Sequence, residues 1–316
     1  MKTDNLIKPK LGDVLIAPGH RACAGCGQMI AAMSASRGFG PNTIITNATG
    51  CLEVTTTPYP ESAWKIPWIH SIFENSSSLA SGIRAALDYK KKCSGNKKSG
   101  TCQIPEKINV IAQGGDGATF DIGIGLISGA WERGDDFLYI CYDTEIYSNT
   151  GYQASGATQP GASTATTPAG AESIGSAQRK KDMIAIAQAH GLKYIAQSTA
   201  GYPEDITRKV KRALELGGPS YIQIMAPCVP GWGIATDSAM SLGKLAAQTG
   251  LYPLLEFENG QLIKASKIKE KISVEEYLKP QARFKHLFKS EAGKEEIRLL
   301  QKIADGNIEK YKLNAE

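Results

Sequence analysis

Five short apolar runs constrain this chain most: 43–47 (TIITN), 108–112 (INVIA), 137–142 (FLYICY), 194–197 (YIAQ) and 221–225 (YIQIM). None alternates apolar with polar residues. A strand with one wet face must alternate, whereas a strand covered on both faces need not. These runs therefore read as strands of a parallel sheet buried on both sides. Helical spacing fills the intervals. Leu79, Ile83, Ala86 and Leu87 recur at the spacing of one helix face, and Ile206, Val210, Ala213 and Leu214 repeat it. A third helix, 178–190, stops at Gly191, a residue suited to the position just past a helix. Strand alternating with helix predicts an α/β fold, doubly wound about a mostly parallel sheet. Ligands bind such sheets at the carboxyl ends of the strands. Glycine, 33 of 316 residues against a usual share of ~7%, is concentrated before residue 175 beside these runs, where tight turns need it.

Two segments depart from this pattern. Residues 148–176 are rich in Gly, Ala, Ser and Thr with no periodicity, and a loop of that length inside a compact domain is usually functional or disordered. Residues 261–316 are dense in Lys, Glu and Arg, and Glu295, Leu299 and Ile303 suggest an amphipathic helix. The chain thus divides into an α/β domain, 1–260, and a charged C-terminal helical arm, 261–316, read as a subunit-docking segment. The Lys-rich stretch 90–98 reads as a solvated loop after a helix. Several classes fall away. Net charge is only +5 and forms no basic stripe, which argues against nucleic acid. No apolar run reaches the ~18 residues of a membrane helix. The first residues carry no export signal, so a cytoplasmic location is expected.

Cysteine is the other unusual feature: 7 residues, an odd count with no export signal, which favours metal or redox chemistry over disulfides. Cys23 and Cys26 form a C-x-x-C in HRACAGCG, Cys51 follows the first strand in ATGCLEV, and Cys228 follows the last in MAPCVPGW. Four thiolates converging on one sheet edge suit tetrahedral zinc or an iron–sulfur cluster, and spacing alone does not choose. Cys141, inside an apolar strand, reads as a packed small hydrophobe. Cys93 and Cys102 read as free surface thiols, with a mutual pair or a ligand role as the alternative.

Oxygen chemistry appears at two further strand ends. INVIA runs into QGGDG, which sets Asp116 between Gly115 and Gly117, and a helix starting near Asp121 or Ile122 would aim free N–H groups at an anion. FLYICY runs into DTEIYSNT. Mg²⁺ takes about six oxygens, typically a carboxylate, neutral oxygens and phosphate. Asp116, the Thr144 hydroxyl and a backbone carbonyl near Ile146 supply that set.

Together GGDG, DTEIYSNTGYQ, CAGCG, TGCLEV and the Cys228 segment resemble the 2-oxoacid:ferredoxin oxidoreductases, specifically their thiamine-diphosphate-binding β subunits. The likeness extends through 64–83 (WKIPWIHSIFENSSSLASGI) and 274–288 (VEEYLKPQARFKHLF). The resemblance implies a sheet of the thiamine-diphosphate-binding type. It implies that Cys23, Cys26, Cys51 and Cys228 hold a 4Fe–4S cluster, and that Asp116, Thr144 and the Ile146 carbonyl hold Mg²⁺ on the cofactor diphosphate. Gly50, Cys51, Leu52 and Glu53 would lie beside the thiazolium, the loop Gly115, Asp116, Gly117, Ala118 and Thr119 would cradle diphosphate, and Asn149, followed by Thr150, would face the reacting carbon. His20 and His70 are candidate acid–base groups whose plainer reading is a hydrogen-bonded structural role. The resemblance places His70 near the cofactor. Trp64, Trp68, Trp131 and Trp232 read as core or interface.

The implied chemistry is oxidative decarboxylation of pyruvate to acetyl-coenzyme A and CO₂, with electrons passed to ferredoxin. The thiazolium serves as electron sink and the cluster as acceptor. The chain lacks a ferredoxin-type cysteine run, and the family draws on partners. An α subunit supplies the carboxylate for the aminopyrimidine, and γ and ferredoxin-like δ subunits, or fused equivalents, complete the enzyme. DTEIYSNTG differs from the DNEAYMNTG more usual in separate β subunits, and Ala154 stands where a basic residue is usual. Oxalate, oxidised without coenzyme A, is therefore the leading alternative substrate, ahead of 2-oxoisovalerate and 2-oxoglutarate. Two other classes remain: a non-redox thiamine-diphosphate enzyme and a zinc-stapled assembly subunit.

Overall fold

The computed structural model describes residues 13–94 and 107–315. Among them, eight strands form one sheet: β1 (Thr43–Asn47), β2 (Trp68–His70), β3 (Asn109–Gly115), β4 (Leu138–Asp143), β5 (Tyr194–Thr199), β6 (Ser220–Met225), β7 (Leu255–Glu258) and β8 (Gln261–Ala265). Their order across the sheet is β2-β1-β3-β4-β6-β5-β7-β8. The first six are parallel, and β7 and β8 add an antiparallel edge.

The apolar runs lack alternation because both faces are covered. Ten α-helices punctuate the described chain: α1 (Gly27–Ser36), α2 (Cys51–Thr56), α3 (Ser76–Ser94), α4 (Ile124–Glu132), α5 (Met183–Ala189), α6 (Pro203–Leu216), α7 (Val229–Trp232), α8 (Ala239–Gln248), α9 (Val274–Leu278) and α10 (Glu291–Lys310). On one face Ile45, Ile111, Ile140 and Ile222 meet Ala32 and Ala35 of α1 and Ile206 and Val210 of α6. On the other, Val110, Tyr139, Cys141 and Tyr221 meet Leu87 of α3, Trp131 of α4 and Met183 of α5. Cys141 is thus the packed hydrophobe expected. A fully buried aliphatic side chain contributes roughly 1.5–3 kcal/mol, so two such layers fix the strand register and thereby the edge that carries the site.

Several expectations are corrected. β2 is three residues long, too short to stand out, and it is held by parallel pairing to β1. The β7–β8 hairpin turns at Asn259 and Gly260, both at positive φ, as a two-residue hairpin requires. β3 runs through Gln113, Gly114 and Gly115, which are strand rather than turn. The helix expected near Asp121 begins earlier, as a π-helical turn over Gly117–Ile122 that leads into α4. The third expected helix starts only at Met183, where Asp182 caps it by accepting from the Ala185 N–H. Lys90, Lys91, Lys92 and exposed Cys93 belong to the end of α3, not to a loop; the rest of that stretch, with Cys102, lies outside the described residues.

The C-terminal helices fold back onto the body. Val274, Tyr277, Phe284 and Leu287 share a buried cluster with Ile146, Met225 and Trp232. The buried face of α10 is Ile297, Leu300, Ala304 and Ile308, one step round from the stripe the sequence suggested. No helix among the described residues is long and apolar enough to cross a membrane.

Candidate active site

β1, β3, β4 and β6 are consecutive in the sheet, so their carboxyl ends form one edge. Asn47, Asp116, Asp143 and Cys228 all lie on it, although the chain separates them widely.

At its centre three oxygens converge. Thr144 Oγ1 lies 2.8 Å from Asp116 Oδ1 and 2.9 Å from the Ile146 carbonyl oxygen. Neighbouring ligands of an octahedral Mg²⁺ with ~2.1 Å bonds are about 3.0 Å apart, so Thr144 Oγ1 stands close to such an edge length from each of the other two oxygens. Asp116 is 1% exposed. Burial, and after it the Asp143 carboxylate, push its pKa up to about 7, against hydrogen bonds from Ser155 and Thr144 that favour the charged form. A cation there relieves that penalty. Ser155 Oγ donates to Asp116 Oδ2 at 2.6 Å.

The surrounding cleft is lined by Gly50, Cys51, Leu52, Gly115, Asp116, Gly117, Thr144, Ile146, Asn149 and Thr150. A Cβ on Gly50 or Gly115 would meet nothing within 4 Å, so both leave room for a ligand. Asn47, 1% exposed, also lines the cleft, and its Oδ1 has no partner. An orphaned buried acceptor of this kind suits a ligand donor. Phe73 and Tyr147, packed edge to face, add an aromatic wall.

Four of the residues expected at the cofactor do not line this cleft. Ala118 and Thr119 are buried in the π-helical turn, where Thr119 Oγ1 donates to the Gly115 carbonyl at 2.7 Å. Glu53 and His70 sit together, 4.0 Å apart, and His70 Nε2 is 2.8 Å from Thr49 Oγ1. His70 also stacks on Trp68. His20 Nδ1 is buried without a protein partner.

Beside the cleft, Cys23, Cys26, Cys51 and Cys228 line one cavity of about 220 Å³. Local sequence builds this convergence. Cys26 precedes α1, Cys51 opens α2 and Cys228 precedes α7. Gly27 N–H donates to the Pro227 carbonyl at 3.1 Å, and a Cβ on Gly27 would lie 2.6 Å from that oxygen. Only glycine lets the C-x-x-C turn approach the Cys228 loop so closely. Gly25, at φ +71°, faces the Thr236 carbonyl in the same way. Burial first, and then the neighbouring thiols, push Cys51 up to about 12; burial also raises Cys26 and Cys228. Four thiolates here therefore demand compensating positive charge.

Cys51, Leu52, Thr144, Ser148 and Asn149 line both the cleft and the cysteine cavity. Cys51 Sγ is 3.8 Å from Asn149 Oδ1. The two halves thus share a wall.

Sequence reasoning missed Ser155, Asn47, Glu145 and Arg283. Arg283 lies in the segment read as an arm, yet its Nη2 donates to Glu145 Oε2 at 2.6 Å beneath the oxygen site. Trp232 is core, as expected, and also donates from Nε1 to the Thr144 carbonyl at 2.8 Å. Much of the long loop 148–176 packs against the body. Between Asp143 and Met183 there is no helix, only the isolated Tyr147–Gln153 bridge, yet Ser155, Ala157, Thr158, Gln159 and Ala162 are buried.

Residues 48–224 match the thiamine pyrophosphate enzyme C-terminal TPP-binding domain, the class that fold and cleft define. Pyruvate synthase subunit PorB of Methanosarcina barkeri is 50% identical over 94% of this chain and 97% of its own length. PorB of Thermotoga maritima is 40% identical over 94% and 91%. Ketoisovalerate oxidoreductase subunit VorB of Pyrococcus abyssi is 40% identical over 94% and 92%. A solved 2-oxoglutarate:ferredoxin oxidoreductase from Magnetococcus marinus shares the fold, with TM-score 0.53 and 21% identity over 71% of this chain and 76% of that one. The chain belongs to the thiamine-diphosphate-binding β subunits of the 2-oxoacid:ferredoxin oxidoreductases.

Proposed function

We propose that the enzyme built on this subunit oxidises pyruvate, that thiamine diphosphate binds in the cleft with Mg²⁺ on Asp116, Thr144 Oγ1 and the Ile146 carbonyl, and that the four cysteines hold a 4Fe–4S cluster. The observation that carries the reading is the near-octahedral spacing of Thr144 Oγ1 from Asp116 Oδ1 and the Ile146 carbonyl, in a cleft that shares a wall with the cavity of the four thiols. Zinc suits the thiols less well. Zinc undergoes no redox change and would leave electrons from the adjoining cleft without an acceptor. A non-redox enzyme has no use for the thiols.

The cofactor, when bound, supplies the electron sink for loss of CO₂, and the cluster accepts electrons. The chain's own residues bind, orient and shield. Asp116 anchors the metal, and Asn47 offers an acceptor to a ligand amine. Asn149, at the shared wall, presents an amide to the oxygen on the reacting carbon. Cys51 and Asn149 keep the path between cleft and cluster short.

Pyruvate is favoured because the relative at 50% identity is a pyruvate synthase subunit, whereas the ketoisovalerate relative is at 40%. Partner α, γ and δ subunits and ferredoxin complete the reaction. Supporting a covering partner, the segments that form the cleft expose Val54, Ile72 and Tyr152, at 47%, 57% and 38%. Assay of the purified complex with pyruvate, 2-oxoisovalerate and oxalate, each with and without coenzyme A, tests the substrate. Pyruvate turnover that requires coenzyme A is expected. Oxalate turnover without it would replace this assignment.

A further inference from the structure

Beneath the oxygen site lies a buried cluster of four charges that the reaction itself does not use. Asp143 and Glu145 are both fully buried. Lys180 Nζ contacts Asp143 Oδ2 at 2.6 Å and Glu145 Oε1 at 3.0 Å. Arg283 Nη2 donates to Glu145 Oε2 at 2.6 Å. Two carboxylates and two cations cancel, and amides complete the set: Gln223 Nε2 donates to Asp143 at 2.8 Å and Gln159 Nε2 to Glu145 at 2.9 Å.

Glu145 occupies a conformation that a side chain rarely adopts, φ +59°. It lies between Thr144 and Ile146, which supply two of the three converged oxygens. A non-glycine residue in the left-handed region persists only where its surroundings over-determine it, and here the carboxylate is gripped from three sides. Arg283 holds the turn twice. It pairs with Glu145, and its guanidinium stacks 3.8 Å from the centroid of Trp232, whose Nε1 donates to the Thr144 carbonyl at 2.8 Å. Thr158 Oγ1 donates to the Glu145 carbonyl at 2.7 Å. Arg283 itself is oriented by Gln281, which accepts from its Nε at 2.9 Å.

We propose that Arg283 is a positioning residue for the Mg²⁺–diphosphate site. Through Glu145 and Trp232 it holds the turn that presents Thr144 Oγ1 and the Ile146 carbonyl, so that seating of the C-terminal segment and affinity for the cofactor rise and fall together. This rests on the metal site proposed above. Stability and positioning make different demands. A buried ion pair can be replaced by neutral groups of similar size with little loss of stability, but neutral groups do not clamp a left-handed turn. Lysine keeps the charge and loses the planar face that stacks on Trp232.

The test is binding of thiamine diphosphate, with Mn²⁺ as a spectroscopic stand-in for Mg²⁺, to the assembled complex that carries Arg283→Lys or the double variant Glu145→Gln/Arg283→Met. Thermal unfolding is followed in parallel. Both variants are expected to assemble and unfold near the wild-type temperature, to bind the Mn²⁺–cofactor pair at least tenfold more weakly, and to show an altered Mn²⁺ resonance. Wild-type affinity in a folded double variant would overturn the proposal, leaving Arg283 a purely structural partner. Failure of the double variant to fold would likewise overturn it, because the pair would then be needed for the fold itself. Asp116→Ala separates this from the reading beneath it: unchanged affinity in Asp116→Ala removes the metal site itself, whereas loss there with no loss in the Arg283 variants sinks only the positioning role.

Discussion

The two halves of the site are built on opposite principles. The oxygen half is assembled by the protein alone: Asp116 Oδ1 and the Ile146 carbonyl oxygen lie 2.8 and 2.9 Å from Thr144 Oγ1, in a hydrogen-bonded turn over a neutral ion cluster. The sulfur half is not. Its four cysteines come from three separate turns and line a cavity, with burial raising Cys26, Cys51 and Cys228. Close glycine packing brings the segments together, but no hydrogen bond between the thiols draws them in. A hard cation that binds through few protein ligands needs a preformed seat. A cluster makes its own bonds to sulfur and completes the geometry when it arrives.

If the halves are independent, each can be broken without the other. The largest effect is expected from Cys228→Ala, which should lose or convert the cluster while the complex still binds thiamine diphosphate; iron analysis beside cofactor titration checks this. Asp116→Ala should do the reverse, weakening cofactor binding strongly with iron content roughly intact. Parallel loss of both cofactors in either variant would show that the halves assemble as one.

Asn149, in the shared wall, is expected to affect turnover and neither occupancy. A donor aimed at the oxygen of a reacting carbonyl acts mainly in the transition state, where its loss costs roughly a hundredfold or more in rate. Asn149→Ala should therefore slow turnover by about that factor, with cofactor content and cluster spectrum preserved. Near-normal turnover per bound cofactor would remove Asn149 from the mechanism.

The smallest effect is a pH dependence peculiar to the oxygen half. Asp116 has its folded pKa raised to about 7 by burial and Asp143. The metal-free fold thus favours the protonated acid. That contribution is fully present below the ordinary carboxylate range and is lost as pH rises through about 7. Mg²⁺ favours the opposite form. The thermal shift produced by Mg²⁺ and thiamine diphosphate should be larger at pH 8 than at pH 6, and the difference should vanish in Asp116→Asn. An equal shift at both values, with Asp116 intact, would show that the carboxylate does not meet the metal.

What the sequence disclosed follows the same division. The strand cores were legible because burial on both faces leaves unbroken apolar runs, and the Asp116 and Cys51 turns were legible because they follow those runs directly. β2 was not, because three residues held by pairing leave no periodic trace. The hairpin carries the Asn259–Gly260 turn signal, but its strands lie where composition turns charged and leave no apolar run. Glu145 and Arg283 could not be paired from sequence. One sits among ordinary turn residues, the other 138 positions later in a segment that reads as a solvated arm. Burial of Val274, Tyr277 and Phe284 in one cluster with Trp232 brings them together. Ser155 was likewise hidden, in a loop whose composition suggests mobility and whose backbone is in fact packed over the site.

The account stands most directly on what the four cysteines hold. Metal and acid-labile sulfide analysis of the complex, purified without oxygen, should find iron and sulfide at about four each per copy of this chain, beyond those of any partner clusters, as one 4Fe–4S centre lost in Cys228→Ala. One zinc per chain at this site, with no iron attributable to it, would contradict the account.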